Sequence, residues 1–174
     1  MHPFSDLAVR CVAMTASSTK EARQRALALL QESGSTVLVK GLQAVELQRA
    51  MMAVGLVSMF EAALQRALGV ESGFGAARAM LQEGGHAKLE EDFADLLRAI
   101  NVLKHGAGRS CNELLARRDA LPFKVRAEGE FFEEGDVSEL DFLVRADDEF
   151  FRYCAAIVDE VATKVRALKP EVVL

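Results

Sequence analysis

The sequence predicts an all-α protein, a helical bundle of four or five main helices with a small irregular or β-hairpin insertion near 121–145. Three observations predict it. Ala, Leu, Glu, Arg and Met are plentiful, whereas the chain has only three prolines and one tyrosine; the common residues are those that lose little rotamer freedom in a helix. Apolar residues recur at helical spacing in several long segments. Glycines punctuate those segments where helices would stop. At 174 residues, 51% apolar and 27% charged, the chain has the length and balance of one globular domain spanning 1–174. No internal repeat, low-complexity tract or linker divides it.

In chain order, a short helix is expected from about Ser5 to Thr15. A second, capped at Ser18-Thr19, carries apolar residues at 26, 27, 29 and 30 and stops near Gly34. Val37 to Leu68 reads as one long helix ended by Gly69. Its centre, MMAVGLVSMF, is apolar nearly all round, the pattern of a central bundle helix. A short helix follows from Ser72-Gly73 to Gln82, and Gly84-Gly85 breaks the chain. His86 to His105 is the next long helix, with Leu89, Phe93, Leu96, Leu97, Ile100 and Leu103 as its apolar stripe and Gly106 as its stop. Arg109 to Asp119 forms another short helix. From Leu121 to about Val144 apolar and charged residues alternate, with turn signals at Glu128-Gly129 and Gly135-Asp136, so one or two short strands are expected. Ala146 to Leu168 is the last helix, burying Phe150, Phe151, Cys154, Ile157, Val158, Val161 and Val165. Met14, Met51, Met52, Met59 and Met80 are expected to fill the core.

The cysteines Cys11, Cys111 and Cys154 are odd in number, widely spaced and without a C-x-x-C pair, poor material for a disulfide framework or a zinc site. His2 reads as a terminal residue and His86 as an exposed helix start; neither has a metal-ligand spacing, so no metal and no cofactor are expected. The first residues lack the basic region and uninterrupted apolar run of an export signal. The longest apolar run, Ala50–Phe60, falls short of a membrane span. A cytoplasmic protein with no membrane partner is the expectation.

The net charge of −5 conceals an asymmetry. Arg98 to Arg126 holds seven Lys/Arg against two Asp/Glu, and Ala127 to Glu160 holds twelve Asp/Glu against two Arg. A local basic segment suits a phosphate, but the two segments can equally pair with each other. Phe131-Phe132, set among carboxylates, suits a basic partner or a nucleic-acid mimic; a surface excursion with both rings turned inward is the commoner arrangement.

The chemistry concentrates on the helix ending at His105. Arg98, Asn101 and His105 fall within about 60° of one another on the helical wheel, with Glu91 and Asp95 nearby and the apolar stripe opposite. A fixed cation, an amide and an imidazole suit phosphodiester chemistry: Arg offers a planar fork of donors, and His exchanges a proton near neutral pH. Solvated polar ridges are commoner, and a His before a glycine also suits a helix C-terminus. Lys104, Arg109 and Ser110 are candidate substrate-binding residues, the last two opening the helix after a glycine-containing turn. Arg117-Arg118 reads as a solvated pair. Glu61, in a very apolar helix, should pair with Arg98 or Lys104, because a lone buried charge is costly.

The segment DFADLLRAINVLKHGAGRSCNELL resembles the HEPN superfamily (higher eukaryotes and prokaryotes nucleotide-binding domain). Members are helical bundles marked by an Arg and a His on one helix with four to six residues between them, often followed by Gly. Here Arg98 and His105 enclose six residues and Gly106 follows. LVSMFEAALQRALG, with its Phe60-Glu61 pair, resembles the family's preceding helix, so the likeness spans roughly residues 40–118. It implies a metal-independent endoribonuclease or toxin component acting as a homodimer. His105 would then transfer a proton at the ribose 2′-hydroxyl and Arg98 would hold the phosphate. Other relatives are inactive modules that bind a nucleotide, RNA or an antitoxin-like protein partner. The polar residue that follows the Arg in active members is Ala99 here, and Asn101 stands one turn along. A helical ligand-binding domain unrelated to that family is the remaining alternative.

Overall fold

A computed structural model describes residues 4–30, 32–172 and 174. Six α-helices lie among them: α1 (Phe4–Leu30), α2 (Thr36–Leu68), α3 (Gly73–Glu83), α4 (Ala87–His105), α5 (Arg109–Leu115) and α6 (Asp148–Leu168). The all-α bundle is thus observed. The helices α2 and α6 form its frame: α1 packs on both, α3 and α4 pack on both from another side, and α5 lies against α4.

Each boundary has a local cause. Gly69 ends α2 in the left-handed conformation (φ 68°), its N–H bonded to Gln65 O, a glycine C-cap. Ser72 caps α3 by accepting from Gly75 N–H. Gly73 lets α3 start against α2, because a Cβ there would lie 2.7 Å from Glu61 O and 2.9 Å from Leu64 Cβ. Gly106 (φ 74°) ends α4. Asp147 caps α6 by accepting from Glu149 and Phe150 N–H, satisfying two donors that the first helical turn leaves open.

The core is aromatic at its centre. Phe60 of α2, Phe93 of α4 and Phe150 and Phe151 of α6 are fully buried. Phe93 meets Phe60 and Phe74 edge-on, at centroid distances of 6.2 and 5.5 Å. The stripe expected on α4 faces this core, with Leu97 and Leu103 only partly covered. All seven residues assigned to the inner side of α6 are buried.

Three expectations need correction. The first two helices are one, because the hydroxyls meant to cap the second are satisfied inside α1: Ser18 and Thr19 both donate to Thr15 O. Such back-bonding lets Ser and Thr sit mid-helix. Between 121 and 147 the chain forms no ladder, only a single antiparallel bridge between Val125 and Val144. The reason is Arg126, whose buried guanidinium donates to the carbonyls of Phe142, Leu140 and Glu130 and so replaces strand bonds with side-chain bonds. Finally, Met14, Met51 and Met59 are exposed, and only Met52 and Met80 pack against the core. Apolar nearly all round, α2 is covered on one side only, and its outer methionines meet α1 along an open apolar groove. By length and composition α2 passes as a membrane span, yet 44% of its most apolar window is buried inside the fold.

Phe93→Ala should cost about 3–5 kcal/mol, since it removes the ring joining α2, α3 and α4. Urea unfolding measures this, and a loss below about 1 kcal/mol would show that the aromatic cluster does not hold α4 in place.

Candidate functional site

The polar ridge of α4 is partly covered at Asp95 and Arg98, while Asn101 and His105 stay exposed. The chain turns at Gly106 and Gly108, and α5 folds back along α4. Asp95, 2% exposed, sits at the seam. Its carboxylate takes Arg98 Nη1 at 3.1 Å and Arg117 Nη2 at 3.3 Å. Glu113 of α5 takes Arg98 Nε at 2.6 Å and Arg109 Nε at 2.7 Å, and Arg117 also reaches Glu91 at 2.7 Å. The Arg117-Arg118 pair is therefore split in role. Arg117 is a structural tie between the turn after α5 and α4, and Arg118 pairs with Glu130 at 3.3 Å.

Beside this network a groove of about 580 Å³ opens between α2, α3, α4 and α5. It brings together five of the six residues singled out on sequence grounds: Arg98, Asn101, Lys104, Arg109 and Ser110 line it. His105 does not. It is exposed at the last turn of α4 and is not among the residues that line the groove. Glu61 also lines the groove, half-buried. Among the described residues no cation lies within ion-pair distance of it, because Arg98 is taken by Glu113 and Asp95. Ala99 is fully buried, so the position after Arg98 faces the core and a polar side chain there would be enclosed.

The residues that sequence reasoning missed are those holding the cations. Glu113 follows Arg109 by one turn and Asp95 precedes Arg98 by one turn, pairings that helical spacing foretells; the joint hold on Arg98 requires α5 to fold back. Arg78 of α3, tied to Glu90 at 2.6 Å, adds a further cation to the groove wall.

Electrostatics follow this geometry. Hydrogen bonds from Arg109 and Arg98 hold the Glu113 carboxyl below its ordinary value of 4.5, and Arg117 does the same for Glu91. Burial instead raises Asp95 above 3.8, against the pull of Arg117 and Arg98. Burial also raises the thiols of Cys111 and Cys154, while Cys11 is exposed. Among the described residues, no group of three or more His, Cys, Asp or Glu side chains is placed to hold a metal. His2 lies outside the described residues.

The acidic excursion answers the basic segment in part. Arg118 meets Glu130, and Arg126 meets Asp141 at 3.2 Å. Phe132 lies between the guanidiniums of Arg126 and Arg145, 5.3 and 5.9 Å from its centroid, a cation–π arrangement. Phe131 is exposed, so only one of the two rings turns inward.

Comparison with protein-family models, with curated proteins and with solved structures finds no match to this chain.

A carboxylate held below its ordinary pKa adds stability that is complete above that value and is lost as pH falls through the lower folded one. The wild type should therefore lose stability below pH 4.5, the ordinary value for Glu113, and Glu113→Gln should lose less over the same range. Urea midpoints at several pH values below neutrality measure this; parallel curves would remove Glu113 from the acid transition.

Proposed function

We propose that this chain is an HEPN-like helical module that binds the phosphate of RNA or of a nucleotide in the groove between α4 and α5. One observation carries this reading. Arg98, Lys104, Arg109 and Arg78 line a single open groove with the donors Asn101 and Ser110, while the chain as a whole is acidic. Charge of this kind, local and set among neutral donors and the carboxylates of Glu61 and Glu113, favours a discrete phosphate site over non-specific coating of nucleic acid.

Binding without cleavage is preferred for two reasons. Arg98 already donates to two carboxylates, so a phosphate must compete for it. A general acid or base also has to reach the proton it moves, and His105 stands outside the groove. The endoribonuclease reading keeps one specific support: His105 is exposed on the same helix as Arg98, immediately before Gly106, where a second copy could bring it to the partner's phosphate. The uncovered apolar strip of Met51 and Met59 on α2 and Leu7 on α1 supports a homodimer, because contiguous exposed apolar surface marks association. A protein partner of the antitoxin kind would suit the same strip.

Fluorescence anisotropy with a short single-stranded RNA, at fixed salt and in EDTA, tests the proposal. Changing Lys104 and Arg109 together to Ala should weaken binding by about tenfold and flatten its salt dependence, and the RNA should stay intact. Unchanged binding in the double variant would remove the groove. Cleavage by the wild type that His105→Ala abolishes would replace the silent module with the nuclease.

A further inference from the structure

A second polar cavity, on the far side of the α2–α6 frame, has an inner wall that the groove lacks: a buried arginine. Arg49 of α2 is 5% exposed. Its Nε donates to Thr19 Oγ1 of α1 at 3.2 Å and its Nη2 meets Asp148 Oδ1 of α6 at 2.7 Å, so it ties three helices together. It also lines a cavity of about 470 Å³ at the first turn of α6.

Five further cations converge on that cavity: Lys20 and Arg23 from α1, Lys124 and Arg145 from the 121–147 excursion, and Arg152 from α6. Carboxylates are present too, and their pairing decides the balance. Asp148 is committed to Arg49, and Glu133 and Asp147 to Arg145. Asp147 additionally caps α6. Glu46 accepts Leu140 N–H, and burial raises its pKa. Among the described residues, Lys20, Arg23, Lys124 and Arg152 have no carboxylate within ion-pair distance, and Glu46 and Glu149 are the lining acids without a cation partner. The formal balance of the lining is one positive charge, and its four unpaired cations come from three chain segments, α1, the excursion and α6.

We propose that this cavity binds a small, multiply charged phosphate compound, such as pyrophosphate, a short oligophosphate or the phosphate end of a phosphorylated metabolite. The buried Arg49 and the guanidiniums of Arg23 and Arg152 present planar forks of donors that suit phosphoryl oxygens. Four unpaired cations around one cavity suit a ligand with several anionic oxygens, which competes with Glu46 and Glu149 for them. The volume lies within the range of small-molecule sites. The lining is polar except for Ala146 and holds no aromatic side chain, so a nucleobase finds no aromatic platform there, and the oxyanion rather than an attached base is what the cavity recognises. A bound oligophosphate would bridge α1, the excursion and α6, segments that Arg49 already joins from inside. The proposal stands apart from the groove reading, since the two cavities share no residue.

Isothermal calorimetry of the full chain with sodium pyrophosphate, at constant ionic strength, tests it. The wild type should bind at one site, and changing Lys20 and Arg152 together to Glu should weaken binding by about tenfold or more. Both side chains are exposed, so the variant should fold, and its thermal midpoint without ligand verifies this. The variant with Lys104 and Arg109 changed to Ala should keep wild-type affinity for pyrophosphate. AMP should bind no more tightly than pyrophosphate. Absence of binding by the wild type, unchanged affinity in the Lys20/Arg152 variant, loss in the Lys104/Arg109 variant, or a clear preference for AMP would each overturn the proposal.

Discussion

Asp95 is the constraint around which the polar half of the molecule is arranged. A carboxylate that is 2% exposed needs partners, because an unpaired buried charge is too costly to keep. It finds them in Arg98 and Arg117, one from its own helix and one from beyond α5. To deliver Arg117 the chain must reverse after His105 and run back along α4, which the glycines at 106 and 108 permit. Once α5 is folded back, Glu113 comes within reach of Arg98 and Arg109 together. The groove, its cations and the exclusion of His105 from it all follow from where one acid is satisfied.

The apolar half obeys a simpler rule. Phe93 locks α4 against α2 and α3, and α6 supplies a stripe broad enough to touch four other helices. The fold covers only one side of α2, so Met51 and Met59 stay outside. Burial of Arg49 within the same helix is tolerated because α1 and α6 each bring it a partner, a hydroxyl and a carboxylate. The helix that looks most uniformly apolar in sequence therefore carries a buried ionic tie on one flank and an uncovered apolar ridge on another.

That contrast explains how much was legible in the sequence. The helices α2, α3, α4 and α6 were readable to within about two residues at either end, since periodicity and glycine stops act locally. The union of the first two helices was not, because a Ser-Ser-Thr run serves equally as an N-cap or as hydroxyls bonded back to Thr15. Alternation between 121 and 145 imitated strands, whereas Arg126 captured the carbonyls a ladder would have used. For the site, helical spacing grouped Arg98, Asn101 and His105, of which Arg98 and Asn101 line the groove and His105 does not. Spacing could not show that His105, despite its angular agreement with Arg98, would be left out of a lining that includes its neighbour Lys104. Nor could it reveal Arg49, a single cation in an apolar segment whose meaning depends on Thr19 and Asp148, 30 and 99 positions away.

The charge pattern brings the two halves together. A chain with net charge −5 has no electrostatic reason to gather cations, yet they collect in two cavities on opposite sides of the α2–α6 frame. In the groove the arginines are held by Asp95 and Glu113, so the site is preorganised but partly neutralised, and a ligand gains only what it takes from those carboxylates. In the cavity at α6, Asp148, Glu133 and Asp147 are paired with Arg49 and Arg145, which leaves the outer cations without ion-pair partners and Glu46 and Glu149 as the remaining acids. Cations that are paired and cations that are not can thus give unequal attraction for an anion. Which acids are already committed to structural ion pairs matters more than how many cations line the wall.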